Sequence, residues 1–406
     1  MQLIIGAGQA GYWASRTLRE AGYDGPIVMI GAERHPPYER PPLSKQVLLC
    51  QAPPESAALT TAEALAALRI DWRADVRALS IDPAGRRVLT DAGALDYDQL
   101  FIATGARNRK LGIPGEDAGG VHSLRTLDEA AALAAALADG GDVVVVGAGW
   151  IGLEVAAAAR TLGDSVTVVE LGPRVCGRGL PELLALDLQA EHERRGVRFR
   201  LGCGVERIEV EAGRAVGVRL AGGEILPAKT VVIGVGAIPN DELASEARLE
   251  TRDGVIVDGQ GRTSDPAIFA AGDVARYYGA RTAAWIRCES WSQAQDQAIA
   301  AARAMAGVEH PPYDPTPWFW SDQYDLNIQV AGETSPALNV VRRGRTVIFL
   351  DDTERVRGAA AINGGAEIRV IKSMIERGAV IDPASLARTD LDLRKIAAMA
   401  KAQSTS

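Results

Sequence analysis

The chain has 406 residues, 47% hydrophobic and 24% charged. That is too long for one core and too apolar for wholesale disorder, so two or three folded domains are expected. Forty-four basic against 52 acidic residues leave a formal charge of −8, which excludes general nucleic-acid binding and leaves room only for a local basic patch.

Residues 2–5 form an apolar strand that runs into Gly6-Ala7-Gly8-Gln9-Ala10-Gly11, then a helix over 12–21 that stops at Gly22. After Gly25-Pro26, residues 27–30 read as a strand buried on both faces, which completes a βαβ unit. The strand starts so early that no signal peptide is expected. Residues 34–45, RHPPYERPPLSK, are too proline-dense for helix or strand and read as a stiff loop. A helix is predicted over 56–67, short strands over 71–89, and an apolar strand within 97–105. Residues 111–120 read as a linker and 126–138 as a helix. A second βαβ unit opens at Asp142, runs through Gly147-Ala148-Gly149-Trp150-Ile151-Gly152 and ends its second strand at Glu170.

Beyond it, a helix is predicted over 187–195, strands over 197–226 and 230–236, strands again at 255–258 and 268–273, and a helix over 290–306. The proline-rich stretch 310–317 breaks the composition. Strands at 326–330, 339–341, 346–350 and 359–362, with helices at 367–377 and 392–402, then read as a separate α+β domain. Glu154, Arg160 and Asp164 interrupt the longest apolar stretches, so no membrane span is expected. The cysteines, Cys50, Cys176, Cys203 and Cys288, form no CxxC and no metal-spaced cluster. They read as buried free thiols in a reducing cytoplasm, with no metal site and no dithiol centre. His35, His122, His192 and His310 fall in or near loops or surface helices, and none is assigned a catalytic role.

In GxGxxG the first glycine permits a tight turn, the second lets backbone approach a pyrophosphate, and the third lets helix and strand pack closely. Phosphates sit at the helix N-terminus, where free N–H groups and the dipole favour negative charge. Gly6, Gly8 and Gly11 fill these places once, Gly147, Gly149 and Gly152 again, and each second strand is followed or closed by an acid, Glu33 or Glu170, suited to ribose hydroxyls. Two dinucleotide sites in one chain imply a resident flavin and a mobile nicotinamide. A carboxylate at Glu170 favours NADH over NADPH, although Arg174 and Arg178 follow close behind.

Several stretches now resemble the NADH-dependent ferredoxin reductases of oxygenase systems, flavoproteins of the glutathione-reductase-like fold. They are GAGQAG at Gly6, YERPPLSK at Tyr38, ATGA at Ala103, LRT at Leu124, GAGWIGLE at Gly147, FAAGDVA at Phe269, ESWSQAQDQ at Glu289 and WFWSDQYDLNIQVAG at Trp318. The resemblance spans the chain and is loosest after Val341. It implies two Rossmann-like dinucleotide-binding domains plus a C-terminal α+β domain: residues 1–108 and 240–314 for FAD, 109–239 for NAD, and 315–406. It implies FAD contacts from Gly6, Gly8, Gly11, Glu33, Arg40, Lys45, Val76, Thr104, Gly105, Asp273, Glu289, Trp291 and Trp320, with Arg125 near a phosphate. The nicotinamide nucleotide would meet Gly147, Gly149, Ile151, Gly152, Glu154, Glu170 and Gly236. Lys45 and Glu154 would pair in the resting enzyme and act where hydride moves.

Each residue also has a plainer reading. Lys45 is a loop lysine, Glu154 an acid stabilised by a helix dipole, and Asp273 the cap of a following helix. Trp318, Phe319 and Trp320 are core aromatics on a strand covered on both faces. The expected activity is hydride transfer from NADH to FAD, then single-electron delivery to a two-iron two-sulfur ferredoxin in a transient complex. Such ferredoxins are acidic, so docking would need a basic patch, with Arg342, Arg343, Arg345, Arg369 and Lys372 as candidates. The oligomeric state would be a monomer or a weak dimer. An NADH oxidase, a rubredoxin or quinone reductase, and a flavin-binding interaction protein with NADH as ligand stay open.

Overall fold

The computed structural model describes residues 1–398 and the backbone of residues 399, 401 and 402. The chain forms two compact units. One comprises Met1–Pro41, Pro54–Arg107 and Ala237–Pro315; the other comprises Pro42–Pro53, Asn108–Gly236 and Thr316 onward.

The first unit is built on a five-stranded sheet in the order Ile268–Ala270, Gln99–Ile102, Gln2–Ile5, Ile27–Ile30, Ile70–Arg73, with every pairing parallel. Four of these strands are almost wholly apolar because both faces are covered, whereas the edge strand Ile70–Arg73 is polar and partly exposed. Alternate residues divide between two cores. Leu3, Ile5, Val28, Ile30, Leu100 and Ile102 face one side, where Ile81 and Val88 of a small antiparallel sheet and Val257 and Tyr277 of a small mixed sheet close over them. Ile4, Ile27, Met29, Phe101 and Phe269 face the other, under the helices Gln9–Glu20 and Trp291–Met305. Those helices pack through Ala10, Ala14, Ala298, Ala301 and Ala302, whose small side chains allow close approach.

The second unit repeats the plan. Its parallel sheet runs Arg198–Leu201, Ser165–Glu170, Asp142–Val146, Thr230–Ile233, Val121–His122. Val144, Val146, Val169, Val231 and Ile233 pack against Ile208, Val218 and Leu226 of an antiparallel three-stranded sheet. The C-terminal part is an antiparallel sheet, Trp318–Gln323, Leu326–Gly332, Val356–Ile362, Thr346–Leu350, Asn339–Arg343, backed by the helix Gly365–Glu376.

Several predicted boundaries move. The helix expected over 56–67 is a 3-10 turn, Pro54–Ala57, and a helix restricted to Ala62–Ala67, because the Thr61 hydroxyl accepts from Ala64 N and starts the helix there. The proline loop holds a 3-10 turn at Pro41–Ser44. The helix expected from 187 runs Glu182–Arg194, with Pro181 in extended conformation as its N-cap. The strand expected over 268–273 ends at Ala270, and the hairpin Ala275–Gly279 with Ala284–Ile286 was not anticipated. The last helix spans Leu393–Met399 rather than reaching 402; Lys401–Ala402 pairs with Ala379–Val380, and residue 400 lies outside the described residues. Among the described residues, no helix is long and apolar enough to cross a membrane.

Candidate functional site

In the first unit, Gly6 has φ +109, and a Cβ there would lie 2.1 Å from the Ala103 carbonyl oxygen. A Cβ on Gly11 would lie 1.9 Å from the Gly6 oxygen, so these two glycines are required by the protein's own backbone. Gly8 differs: among the described residues nothing lies within 4 Å of its Cβ position. It is the N-cap of Gln9–Glu20, with no side chain capping the first turn. Both polar atoms of the Gln9 amide are buried there without a hydrogen-bond partner among the described residues. Free helix N–H groups, open space over a glycine and an orphaned amide fit a bound pyrophosphate.

Around this turn, the Glu33 carboxylate accepts from Tyr38 Oη at 2.5 Å and Arg40 at 3.2 Å. Burial pulls the Arg40 guanidinium down, but Tyr38, Glu33 and Asp273 outweigh it and its pKa is raised. Arg40, Glu33 and Asp273 thus share one electrostatic neighbourhood. Val76 donates its N–H to the Gly31 carbonyl. Thr104 Oγ1 donates to the Asn240 carbonyl at 2.7 Å, and Gly105 accepts from Asn240 N. Trp291 opens its helix and donates to Glu39 at 2.9 Å. Glu289 is exposed and held by Arg287. Asp273 caps no helix, because the next element is the strand Ala275–Gly279.

The second glycine turn reproduces the geometry. A Cβ on Gly147 would be 2.4 Å from the Gly234 oxygen, one on Gly152 would be 2.0 Å from the Gly147 oxygen, and Gly149 faces open space. Glu170 accepts from Ala148 N at 2.7 Å and Gly172 N at 2.8 Å, so it braces the turn itself. Arg174 is tied to the Leu180 and Gly177 carbonyls of its own loop, whereas Arg178 is exposed. Ile151 is 43% exposed beside Gly149. Gly236 has φ +104, and its carbonyl accepts from Arg109 N. Arg125 sits just ahead of the helix Leu127–Ala138, where its N–H donates to Glu129.

Glu154 is a buried charge of this unit, at 4% exposure. One carboxylate oxygen accepts from Lys45 Nζ at 2.9 Å and from Ser44 Oγ. The other accepts from Ser321 Oγ at 2.6 Å. Every partner of the ion is a donor, as a buried carboxylate requires. Ser44 and Ser321 lie inside LSK and WFWSDQYD, but their hydroxyls gave no separate signal, since serine is common in loops and strands. Gln9 and Asn240 were missed for a similar reason: an amide declares its role only by what it reaches.

Three readings are corrected. Trp318, Phe319 and Trp320 are half-buried rather than covered on both faces; Trp318 and Trp320 stack at 5.2 Å, and Phe319 meets Trp150 edge-on. The cysteines are not uniformly buried: Cys50 is exposed, while burial pushes the Cys176 thiol far above its ordinary range. His192 is fully buried, bonded to Gln323 at 2.7 Å, and burial lowers its pKa.

A duplicated parallel-sheet cradle with an antiparallel tail defines an α/β oxidoreductase of two nucleotides. The chain belongs to the pyridine nucleotide-disulphide oxidoreductase family, whose model matches residues 2–298, and a reductase C-terminal model matches residues 318–397. The second match carries family character well past Val341, where the sequence resemblance is loose. The chain is 40% identical over 398 residues to rhodocoxin reductase of Rhodococcus erythropolis, covering 97% of this chain and 93% of that one. It is also 40% identical to the anthranilate 1,2-dioxygenase system ferredoxin–NAD(+) reductase component of Burkholderia cepacia, over 97% of this chain and 98% of that one. The covalent putidaredoxin reductase–putidaredoxin complex matches with TM-score 0.95, 34% identity and 99% coverage of both chains.

Proposed function

We propose that this chain is an FAD-dependent NADH:ferredoxin oxidoreductase that feeds an oxygenase. The observation that carries the reading is the ion pair of the half-buried Lys45 with the buried Glu154, in a chain with two glycine turns suited to pyrophosphates. FAD, when bound, accepts a hydride from NADH and releases electrons one at a time. The same reading divides the chain into an FAD-binding part, residues 1–108 and 240–314, an NAD-binding part, 109–239, and a C-terminal part, 315–406.

Gly6, Gly8, Gly11, Glu33, Arg40, Val76, Thr104, Gly105, Asp273, Glu289, Trp291 and Trp320 would hold FAD, with Arg125 near a phosphate. Gly147, Gly149, Ile151, Gly152, Glu170 and Gly236 would hold NADH. Glu154 would receive the nicotinamide amide, and Lys45 would keep a positive charge beside the accepting ring. Arg174 is occupied by its own loop, and Glu170 would meet the ribose, a combination that supports NADH over NADPH.

The acceptor is a two-iron two-sulfur ferredoxin in a transient complex, with the reductase a monomer or weak dimer in the cytoplasm. Arg345 and Arg369 are exposed and Lys372 half-buried, and they suit an acidic partner. Arg343 does not belong with them. It is 5% exposed and bonded to Glu367 and to the Leu386, Arg388 and Leu391 carbonyls.

Rapid mixing tests the reading. NADH bleaches the anaerobic yellow protein within milliseconds, and added ferredoxin is then reduced faster than oxygen. Slow bleaching with a persistent long-wavelength colour would favour the interaction protein, and faster oxygen turnover would favour the oxidase.

A further inference from the structure

Behind Glu154 lies a line of polar side chains that the hydride-transfer reading does not use. Ser321 and Gln323 alternate along the strand Trp318–Gln323, so both project from one face, while Trp320 and Asp322 bond to each other on the opposite face. Gln323 Nε2 lies 3.0 Å from Ser321 Oγ, and Gln323 Oε1 lies 2.7 Å from His192 Nε2. His192, on the helix Glu182–Arg194, meets the Tyr324 hydroxyl through Nδ1 at 3.4 Å. Exposures are 4% for Glu154, 0% for Ser321, 1% for Gln323 and 0% for His192, so the line is shielded from bulk solvent.

We propose that Ser321, Gln323 and His192 are positioning residues for Glu154, linked in a one-way hydrogen-bond chain whose polarity the carboxylate sets and the His192 tautomer reports. This deepens the proposed function and rests on Glu154 serving the nicotinamide. A carboxylate only accepts, so Ser321 gives it its single proton. The Ser321 oxygen then accepts from Gln323, which turns the Gln323 carbonyl toward His192. His192 therefore carries its proton on Nε2, and its bare Nδ1 accepts from Tyr324. A proton on Glu154 facing Ser321 would reverse every link, rotate the Gln323 amide and move the imidazole proton to Nδ1.

The surroundings keep the ring neutral. Burial lowers the His192 pKa and pushes Tyr324 up to about 12. Phe199 packs edge-on at 6.2 Å, the Arg195 guanidinium lies over Tyr324 at 4.3 Å, and Glu191 pairs with Arg195 at 3.0 Å. The chain ties the helix bearing Glu154 to a strand and a second helix, which fixes the carboxylate rotamer. Small displacements of a positioned group are costly to hydride transfer.

The test uses FAD-loaded full-length protein labelled with 15N-histidine. Four histidines keep the spectrum simple, and His192→Asn assigns the signal. Wild type shows His192 protonated on Nε2 and bare on Nδ1 at pH 7.5. Ser321→Ala frees the Gln323 amide, so His192 populates both tautomers. The limiting rate of bleaching by NADH falls roughly tenfold, as loss of one charge-assisted hydrogen bond implies. The KM for NADH changes little, and Ser321→Thr restores most of the rate. Gln323→Leu, of similar volume, should give the same tautomer mixture and serves if Ser321→Ala does not fold. A charged or Nδ1-protonated His192 in wild type overturns the proposal. So does a variant whose tautomer stays fixed, whatever its rate. Failure of NADH to bleach wild type would sink the proposed function instead, with the tautomer still judging the chain.

Discussion

The glycines of each cradle fall into two kinds that the sequence motif does not separate. Gly6 and Gly11 are fixed by backbone oxygens of the protein, whereas Gly8 borders only open space. Gly8→Ala should therefore change apoprotein stability by about 1 kcal/mol or less, the cost of alanine at an N-cap, yet abolish retention of FAD on gel filtration. Gly6→Ala, with φ +109 and a carbonyl in the way, should destabilise the apoprotein outright. Equal effects of the two substitutions on the apoprotein melting temperature would refute the distinction.

Acid sensitivity also belongs to single residues. Burial lowers the pKa of His192, and burial with Arg214 lowers that of His122. The unfolded chain, with histidines near 6.5, then binds more protons than the folded one at lower pH. The stability they contribute is present above about pH 6.5 and lost as pH falls through the depressed folded values. Urea unfolding of wild type and His192→Gln should show a difference in stability that shrinks on going from pH 7.5 to 5.5. A constant difference would contradict the assignment.

At the scale of elements, Arg343 organises the tail. From the strand Asn339–Arg343 it reaches Glu367 on the helix Gly365–Glu376 and the Leu386, Arg388 and Leu391 carbonyls at and just beyond the C-terminal end of the Pro383–Ala387 helix. Arg343→Met takes the donor away from one oxygen of the half-exposed Glu367, which keeps its bond from Thr346, and from these carbonyls, and should cost about 1–3 kcal/mol, the range for losing hydrogen bonds to a charged group. Arg343→Lys should recover only part, since an ammonium cannot span the same fan of acceptors. Urea titration of the three proteins measures this, and a loss under about 1 kcal/mol would mean the tail closes without the guanidinium.

For the whole molecule, a net charge of −8 opposes an acidic partner, so approach depends on local positive charge. Arg345→Gln with Arg369→Gln should slow ferredoxin reduction severalfold at low salt, and the difference from wild type should vanish at high salt as screening takes over. Steady-state ferredoxin reduction across an ionic-strength series checks this. A deficit that persists at high salt would point to lost packing rather than lost steering.

Local sequence determined both glycine turns, the buried parallel strands and the class of ligand they cradle, because turn geometry and two-sided burial are encoded within about thirty consecutive residues. It also offered Lys45 and Glu154 as a pair, through resemblance. Only tertiary structure decided that two serines close around that carboxylate, that His192 is interior rather than superficial, and that Arg343 is a buried brace rather than a docking charge. Each of those facts depends on partners tens to more than a hundred residues away, from Ser44 to Glu154 to Ser321. Polar side chains have no periodicity of their own, and their roles follow from whatever donor or acceptor the fold sets within about 3 Å.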